Sequence, residues 1–236
     1  MASAPKSARA KSTPTAAVLT GDVVRSNEAA PAALRLLPDH LRKAAKAAAD
    51  NLPDAGVSAI DIFRGDSWQI HVRDPAAALA AALLVRSFLL GGGARGEPAW
   101  DTRIAIGLGP VDRLDKRRVS RSHGAAFAAS GEALDALAGG RPRMAVAAGG
   151  TEPMRTGAFA RTTIGLLDAL VQNWTSKQAW AVHGALRGLI QNDIAATFRP
   201  AIAQSTLVRH LHAARWDVVE DVLDVWRNPE RADYGS

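Results

Sequence analysis

The spacing of apolar and polar residues predicts a mixed α and β domain followed by helices. A continuous apolar run at residues 16–23 predicts a strand, and residues 29–52, broken by Pro31 and Pro38, predict a helix. The same criteria then predict a hairpin over 57–63 and 67–72, a helix from the Asp74-Pro75 cap to Leu90, a strand over 101–109, a helix over 124–137 and a strand over 143–147.

This order of elements matches the ferredoxin-like split βαβ plan, an α+β fold. In that plan the first and third strands are antiparallel neighbours. The end of the first strand therefore lies beside the start of the third. The sequence thus predicts that Asp22 and Asp66 meet at one edge of the sheet.

Both aspartates follow a glycine at the end of an apolar strand, in Thr20-Gly21-Asp22 and in Phe63-Arg64-Gly65-Asp66. A preceding glycine lets backbone or ligand approach closely. Paired strand-end carboxylates are typical of sites that hold Mg²⁺ or Mn²⁺ against nucleotide phosphates. We therefore interpret Asp22 and Asp66 as candidate metal ligands, with simple turn residues as the alternative.

The second part of the chain begins near Gly157 and reads as helices only. Thr175 caps a helix predicted over 176–189, a short helix follows over 190–198, and a turn over 199–203 leads to a helix over 204–216. A short helix, a turn and a second helix that opens with Gln-Ser-Thr are typical of a helix-turn-helix unit that binds DNA. The turn is long and lacks glycine, so a helical bundle with a solvated polar face stays open as an alternative.

Amide, hydroxyl and basic side chains at the start of this last helix can reach base edges, and basic residues around it can hold phosphates. Residues 171–216 carry five Lys or Arg against one Asp, a net charge of +4. The predicted DNA-binding residues are Lys177, Arg187, Gln204, Ser205, Thr206, Arg209, His210 and Arg215. The final segment, 217–226, has an apolar stripe that can pack within the chain or form a dimer.

The amino-acid composition limits the kinds of protein and of binding site that this chain can be. The chain has 236 residues, a formal charge of +6 and no cysteine, which excludes disulfides and zinc–thiolate sites. Residues 1–14 are basic and lack the apolar run of a signal peptide, so we expect a disordered arm. No run approaches eighteen apolar residues, so we expect no membrane span and a cytoplasmic location.

Several short motifs carry a resemblance to a known family. They are Thr20-Gly21-Asp22-Val23-Val24-Arg25-Ser26, Gly65-Asp66, Arg103 to Gly109, Gly124-Ala125-Ala126-Phe127 with Glu132-Ala133-Leu134, and Trp174-Thr175-Ser176-Lys177-Gln178. Residues 16–137 resemble the class III nucleotide cyclase homology fold. With the helical part, the chain looks like the SatD family, in which a cyclase-like domain precedes a helix-turn-helix. The resemblance implies that Asp22 and Asp66 match the metal-binding aspartates of cyclases.

The chain also departs from the cyclase pattern. The resemblance places the transition-state Asn and Arg at Ala128 and Glu132, and the SatD-like pattern often has an Arg at Gly131. Losing one preorganised electrostatic stabiliser typically costs ~10²–10³ in rate. A basic loop over 112–121 could still hold phosphates, or could be a solvated hairpin tip. The candidate nucleotide-binding residues are Arg25, Arg64, Arg117 and Arg118.

The predicted organisation is a basic arm over 1–14, a cyclase-like ferredoxin-fold domain over 15–155 and a helix-turn-helix domain over 156–236. The favoured function is a DNA-binding regulator whose degenerate cyclase-like domain senses a nucleotide or mediates dimerisation. An active Mg²⁺-dependent nucleotidyl cyclase and a protein-interaction adaptor are the alternatives. The expected partners are DNA, a nucleotide and a second copy of the chain, and no membrane.

Overall fold

A five-stranded sheet in the order β2-β3-β1-β4-β5 forms the centre of the computed structural model, which describes residues 15–140, 142–150 and 153–229. The strands are β1 (Thr15–Val23), β2 (Asp61–Phe63), β3 (Ser67–Val72), β4 (Thr102–Pro110) and β5 (Met144–Ala148). β1 pairs antiparallel with both β3 and β4, and β5 is parallel to β4. The predicted α+β class and ferredoxin-like strand order are confirmed, with β5 added at one edge. The predicted arm over 1–14 lies outside the described residues.

Helices cover both faces of this sheet. α1 (Pro31–Asn51) and α2 (Ala78–Leu90) pack on one face, where Leu19, Trp68 and Ile104 are fully buried. α3 (Ala125–Ala136) packs on the other face against Val18. Successive residues of β1 therefore point alternately toward α1/α2 and toward α3, as the two-residue repeat of a strand requires.

Two local predictions differ from the structure. Pro38 lies inside α1 rather than breaking it, and Pro31 begins the helix at its first turn, where its missing N–H costs nothing. The hairpin is shorter on its first side than predicted, because only Asp61–Phe63 pairs continuously with β3 and Val57 makes an isolated bridge to Val72.

The helical run Pro75–Arg95, which contains α2, is long and apolar enough to cross a membrane by length and composition. It is the one such run in the described part of the chain, and 78% of its apolar 18-residue window is buried inside the protein. Asp74 caps its start by accepting a hydrogen bond from the N–H of Ala76 at 2.9 Å, as predicted. Its apolar character is that of a core helix enclosed by the sheet and by other helices.

The C-terminal helices pack against this core. They are α4 (Pro153–Thr156), α5 (Ala158–Val171), α6 (Ser176–Leu186), α7 (Gln191–Ala196), α8 (Gln204–Ala213) and α9 (Trp216–Arg227). α6 lies on α2, and buried residues of α5, α6 and α9 belong to the same apolar cluster as the sheet. The division between residues 155 and 156 stays a prediction, since the two parts are joined by a continuous core.

A buried ionic network also crosses this junction. Arg86 of α2 is fully buried, and its guanidinium contacts Asp101 (Nε to Oδ1 2.8 Å) and Asp168 of α5 (Nη1 to Oδ1 2.6 Å). Arg143 forms a further ion pair with Asp101, and its N–H donates to Asp168 at 2.7 Å. Burial opposes ionisation of Asp101, but Arg86 and Arg143 outweigh it and lower the pKa of that carboxyl. The network thus holds α5 to the start of β4 and β5.

Candidate functional site

The ends of β1 and β3 bring the backbones of the two predicted metal ligands together. Asp22 lies opposite Ser67 in the β1–β3 register, and the N–H of Val23 donates to the carbonyl of Asp66 at 3.2 Å. The strand order alone was enough to predict that the backbones of Asp22 and Asp66 are neighbours.

The carboxylate of Asp22 is held by a residue to which the sequence assigned no role. Arg103, opposite Asp22 on β4, donates from Nε to Oδ1 at 2.8 Å and from Nη2 to Oδ2. Both side chains lie on the α3 side of the sheet, because Arg103 also reaches the carbonyl of Leu137, which follows α3. This two-point ion pair neutralises Asp22.

The side chain of Asp66 lies in a different environment. Its carboxylate accepts a short hydrogen bond of 2.5 Å from the hydroxyl of Ser26. It lines a shallow groove beside the first half of α1, together with Ser26, Asn27, Leu34, Leu37, Pro38, Arg64 and Gly65. Asp22 and Asp66 are therefore adjacent in backbone, but their carboxylates face different partners.

This arrangement does not fit a preformed divalent-cation site. Mg²⁺ needs several oxygen ligands in octahedral geometry, and one of the two carboxylates is already paired with a guanidinium. The described residues contain no group of three or more His, Cys, Asp or Glu side chains that could hold a metal. The assignment of Mg²⁺ or Mn²⁺ to Asp22 and Asp66 stays a prediction.

Two of the four predicted nucleotide-binding arginines flank the groove in an unusual backbone conformation. Arg25 and Arg64 have φ of 56° and 54°, in the left-handed region that non-glycine residues rarely adopt. The exposed side chain of Arg25 is 4.0 Å from Glu28, and Arg64 lines the groove. Strain of this kind costs about 1–3 kcal/mol and often marks ligand sites, which keeps these two residues as candidates.

Arg117 and Arg118 lie on the basic loop. Their backbone N–H groups donate to Asp115 Oδ1 at 2.9 and 3.0 Å, and these bonds, that of Arg118 first, lower the pKa of Asp115. Ser120 ties the loop to β2 through two hydrogen bonds to Asp61. The side chains of Arg117 and Arg118 are exposed, and no ion pair involves them within the ranges that the structure describes. Phosphate binding by Arg117 and Arg118 stays a prediction.

α3 offers no replacement for the cyclase transition-state residues. Ala128 and Glu132 are exposed, whereas Ser130 is buried and its Oγ lies 2.7 Å from Thr20 Oγ1. The helix approaches the sheet so closely that a Cβ on Gly107 would lie 2.2 Å from the carbonyl of Ala126. The glycine at position 107 thus has a packing role.

The second candidate site lies on α6, α7 and α8. These helices enclose a small apolar cluster of their own, with Trp180, Ile194, Phe198 and Leu207 at its centre. Thr175 forms a complete capping box with Gln178 at the start of α6, as the Thr-x-x-Gln pattern indicates. The connection between α7 and α8 spans residues 197–203, longer than the five residues predicted.

α8 presents most of its predicted DNA-binding residues to the outside. All ten of its residues are described, and Leu207 alone is buried. Gln204, Ser205 and Arg209 are exposed, and Thr206 accepts a hydrogen bond from Arg209 Nη2 at 3.1 Å. The placement of these side chains is compatible with base contact, and base contact itself stays a prediction.

Basic groups cluster beside this helix. His210 stacks on Phe198 with ring centroids 6.1 Å apart, and its pKa is lowered by burial and then by the positive charges of Lys177 and Arg209. Lys177 at the start of α6 therefore lies within electrostatic reach of α8. α6 packs on α8, and the DNA-binding roles of these three residues stay predictions.

The two remaining predicted phosphate contacts are less favourably placed. Arg187 is half-buried, and among the described residues its Nε finds no hydrogen-bond partner. Arg215 pairs with Asp217, from Nη2 to Oδ2 at 3.2 Å. The phosphate-binding roles of Arg187 and Arg215 stay predictions. Lys177 and Arg209 are better placed to contact DNA.

No protein-family model matches the chain, and no curated protein matches its sequence. Among solved structures, the fold is similar to a bacterial light-regulated adenylyl cyclase (14% identity over 58% of this chain and 44% of that one, TM-score 0.42). It is also similar to adenylate cyclases from Trypanosoma brucei in their monomeric state (16% identity over 66% of this chain and 82% of that one, TM-score 0.43). A guanylyl cyclase is similar too (17% identity over 53% of this chain and 72% of that one, TM-score 0.37). The match spans less than half of the light-regulated cyclase. At such identities the likeness concerns the fold alone.

Proposed function

We propose that the protein is a DNA-binding regulator in which α8 contacts bases and the cyclase-like domain does not catalyse cyclisation. The observation that carries the proposal is the outward face of α8, with Gln204, Ser205 and Arg209 exposed at its first turns. A helix anchored by one buried leucine and stacked on its own small core suits insertion into the major groove. In this proposal the chain is similar in organisation to the SatD family.

Electrostatics supports the same assignment. Lys177 and Arg209 are exposed, and α6, which carries Lys177, packs on α8, which carries Arg209. Positive charge beside an exposed polar helix favours binding of a polyanion such as DNA. Each phosphate that the protein neutralises releases condensed counterions, and this release drives binding. A protein-interaction adaptor would not need this combination of amide, hydroxyl and guanidinium groups.

The N-terminal domain is proposed to bind an anion rather than to turn it over. Asp22 is engaged by Arg103, and positions 128 and 132 lack the amide and guanidinium that stabilise a cyclisation transition state. Arg25 and Arg64 at the groove and Arg117 and Arg118 on the basic loop are the groups that would hold phosphates. An active Mg²⁺-dependent cyclase is the competing function, and the carboxylate of Asp66 in the groove is what favours it.

Fluorescence anisotropy on a labelled pool of genomic fragments tests the proposal. Wild type should bind, and the double variant Lys177→Ala/Arg209→Ala should lose most of the affinity. Arg42→Ala removes one exposed positive charge from α1 and serves as the matched control. If the double variant binds as tightly as Arg42→Ala, α8 is not the DNA-binding element.

A further inference from the structure

The solvent face of α5 exposes large apolar side chains that nothing in the described part of the chain covers. Phe159 is 81% exposed and Leu166 is 70% exposed. Beside them, Val218 and Val225 of α9 are also exposed, and apolar grooves run between the two helices. Apolar surface of this extent commonly marks an interaction site.

We propose that two copies of this chain associate through α5, packed antiparallel against α5 of the second copy about a two-fold axis near residue 164. The proposal goes beyond DNA binding and does not depend on it. A symmetric dimer requires a surface that is complementary to itself, and α5 has that property.

Complementarity comes from a projection and a recess at opposite ends of the same helix. Phe159 projects near the N-terminal end. Toward the C-terminal end, Gly165 and Ala169 line a recess with Pro142, Asp168, Gln172 and Asn173, and nothing lies within 4 Å of a Cβ added to Gly165. Phe159 and Ala169 are each five residues from position 164. An antiparallel two-fold pair therefore places each Phe159 over the recess of the other copy.

The intervening positions obey the same symmetry. Residues 159, 162, 166, 169 and 173 follow a spacing of three and four, so they form one stripe along the helix. Thr162 and Leu166 are each two residues from the axis, so the threonine of one copy meets the leucine of the other. Small residues alternate with large ones along the contact, which permits close packing of the helices.

Charges are arranged as in an interface with a dry centre and a polar rim. α5 contains two charged residues, and one of them, Asp168, is buried in the ionic network. The other, Arg161, lies beside the stripe, whereas α9 exposes Glu220, Asp221 and Asp224. Charged groups are depleted at the stripe, and α9, with four acidic residues against Arg227, is net negative beside Arg161 of α5.

Sedimentation velocity on the full chain without DNA measures the association. Phe159→Asp and Leu166→Glu should each weaken the dimer at least ~30-fold, the ratio that corresponds to a 2 kcal/mol hot spot. Leu36→Asp alters a comparably exposed leucine of α1 and should leave association unchanged. A monomer at all concentrations, or a dimer that resists both α5 variants, overturns the proposal.

Cysteine cross-linking tests the register even if one of those variants fails to fold. The chain has no cysteine, so single cysteines can be introduced without interference. An oxidised mixture of Thr162→Cys and Leu166→Cys proteins should give a heterodimeric disulfide. Ala169→Cys alone should not cross-link, because its two copies would stand ~15 Å apart along the axis at 1.5 Å per residue. Equal cross-linking in both samples, or none in the mixture, contradicts the antiparallel arrangement.

Discussion

Arg103 and Asp22 form a two-point ion pair across β4 and β1, with Nε 2.8 Å from Oδ1. The pair lies beside Asp66 in the sheet but on the face covered by α3. It occupies one of the two carboxylates that a divalent cation would need.

Arg103→Ala should make the carboxylate of Asp22 available to a cation. Removing the guanidinium leaves Asp22 free to bind, so Mn²⁺ with a nucleoside triphosphate should raise the melting temperature of the variant more than that of wild type. When the ligand concentration is one hundred times the dissociation constant, binding raises the free energy of unfolding by ~2.7 kcal/mol. Adding Asp22→Asn should abolish the gain, as measured by differential scanning fluorimetry. An equal response of wild type and variant would show that Arg103 does not block the site.

Purified protein should make no cyclic nucleotide from ATP or GTP with Mg²⁺ or Mn²⁺. The resemblance to cyclases places their Asn and Arg at Ala128 and Glu132, and losing one such stabiliser typically costs ~10²–10³ in rate. Chromatographic detection of the product provides the measurement. Product that disappears with Asp66→Ala would establish the competing cyclase function.

His183 should make the protein sensitive to mild acid. Its ring is buried beside Ser87, with Oγ 3.1 Å from Nδ1, and burial followed by the nearby Arg187 and Arg95 lowers its pKa to about 3. A histidine with a depressed folded pKa contributes stability above pH 6.5 that is lost as the pH falls toward 3. At pH 5 the loss is about 2 kcal/mol.

His183→Gln should therefore flatten the decline between pH 6.5 and 5. Urea unfolding at several pH values gives the free energy of unfolding for wild type, for the variant and for the exposed-residue control His212→Gln. The same decline in all three proteins would mean that His183 is not the group responsible.

Arg86→Leu should destabilise the whole protein. The substitution leaves the buried carboxylates of Asp101 and Asp168 without their main partner, which costs about 3–5 kcal/mol. Arg42→Leu on the surface of α1 should change the free energy of unfolding by less than about 0.5 kcal/mol. Chemical denaturation followed by tryptophan fluorescence measures both, and similar values for the two variants would refute a stabilising role of the network.

The sheet could be predicted because apolar periodicity and glycine breaks are local signals. Asp22 and Asp66 follow the ends of two apolar runs, and the strand order then placed their backbones together. The direction of their side chains could not be predicted, since it depends on which cross-strand residue reaches each carboxylate. The sequence pattern around Arg103 indicates a strand and does not indicate that its guanidinium binds Asp22.

The ionic network was missed although the sequence contains a signal for it. Arg86 is the one charged residue of the apolar helix α2, and a charge at such a position requires buried partners. Asp101 and Asp168, however, are 15 and 82 residues away along the chain. Pairing at that separation is a property of the tertiary fold.

The turn between α7 and α8 shows a similar limit. Its position was predicted from Pro200, but its predicted length of five residues was wrong, because the connection spans residues 197–203. The N–H of Arg199 donates to the carbonyl of Ala94 at 2.8 Å, and the N–H of Ile202 donates to that of Ala195 at 3.2 Å. A contact to a distant loop thus fixes this connection, and turn chemistry alone cannot indicate it.

The most direct test of the account is a comparison of sequence preference with salt dependence. A selected DNA site and a scrambled duplex are titrated by anisotropy at two salt concentrations with wild type, Arg209→Ala and Lys177→Ala. If Arg209 contacts a guanine, its removal should cost ~1–3 kcal/mol on the selected site and relax preference at that base pair. Removing Lys177 should weaken both duplexes alike and reduce the salt slope by about one. Equal binding of all three proteins to both duplexes, or no binding at all, would contradict the assignment of α8 to DNA.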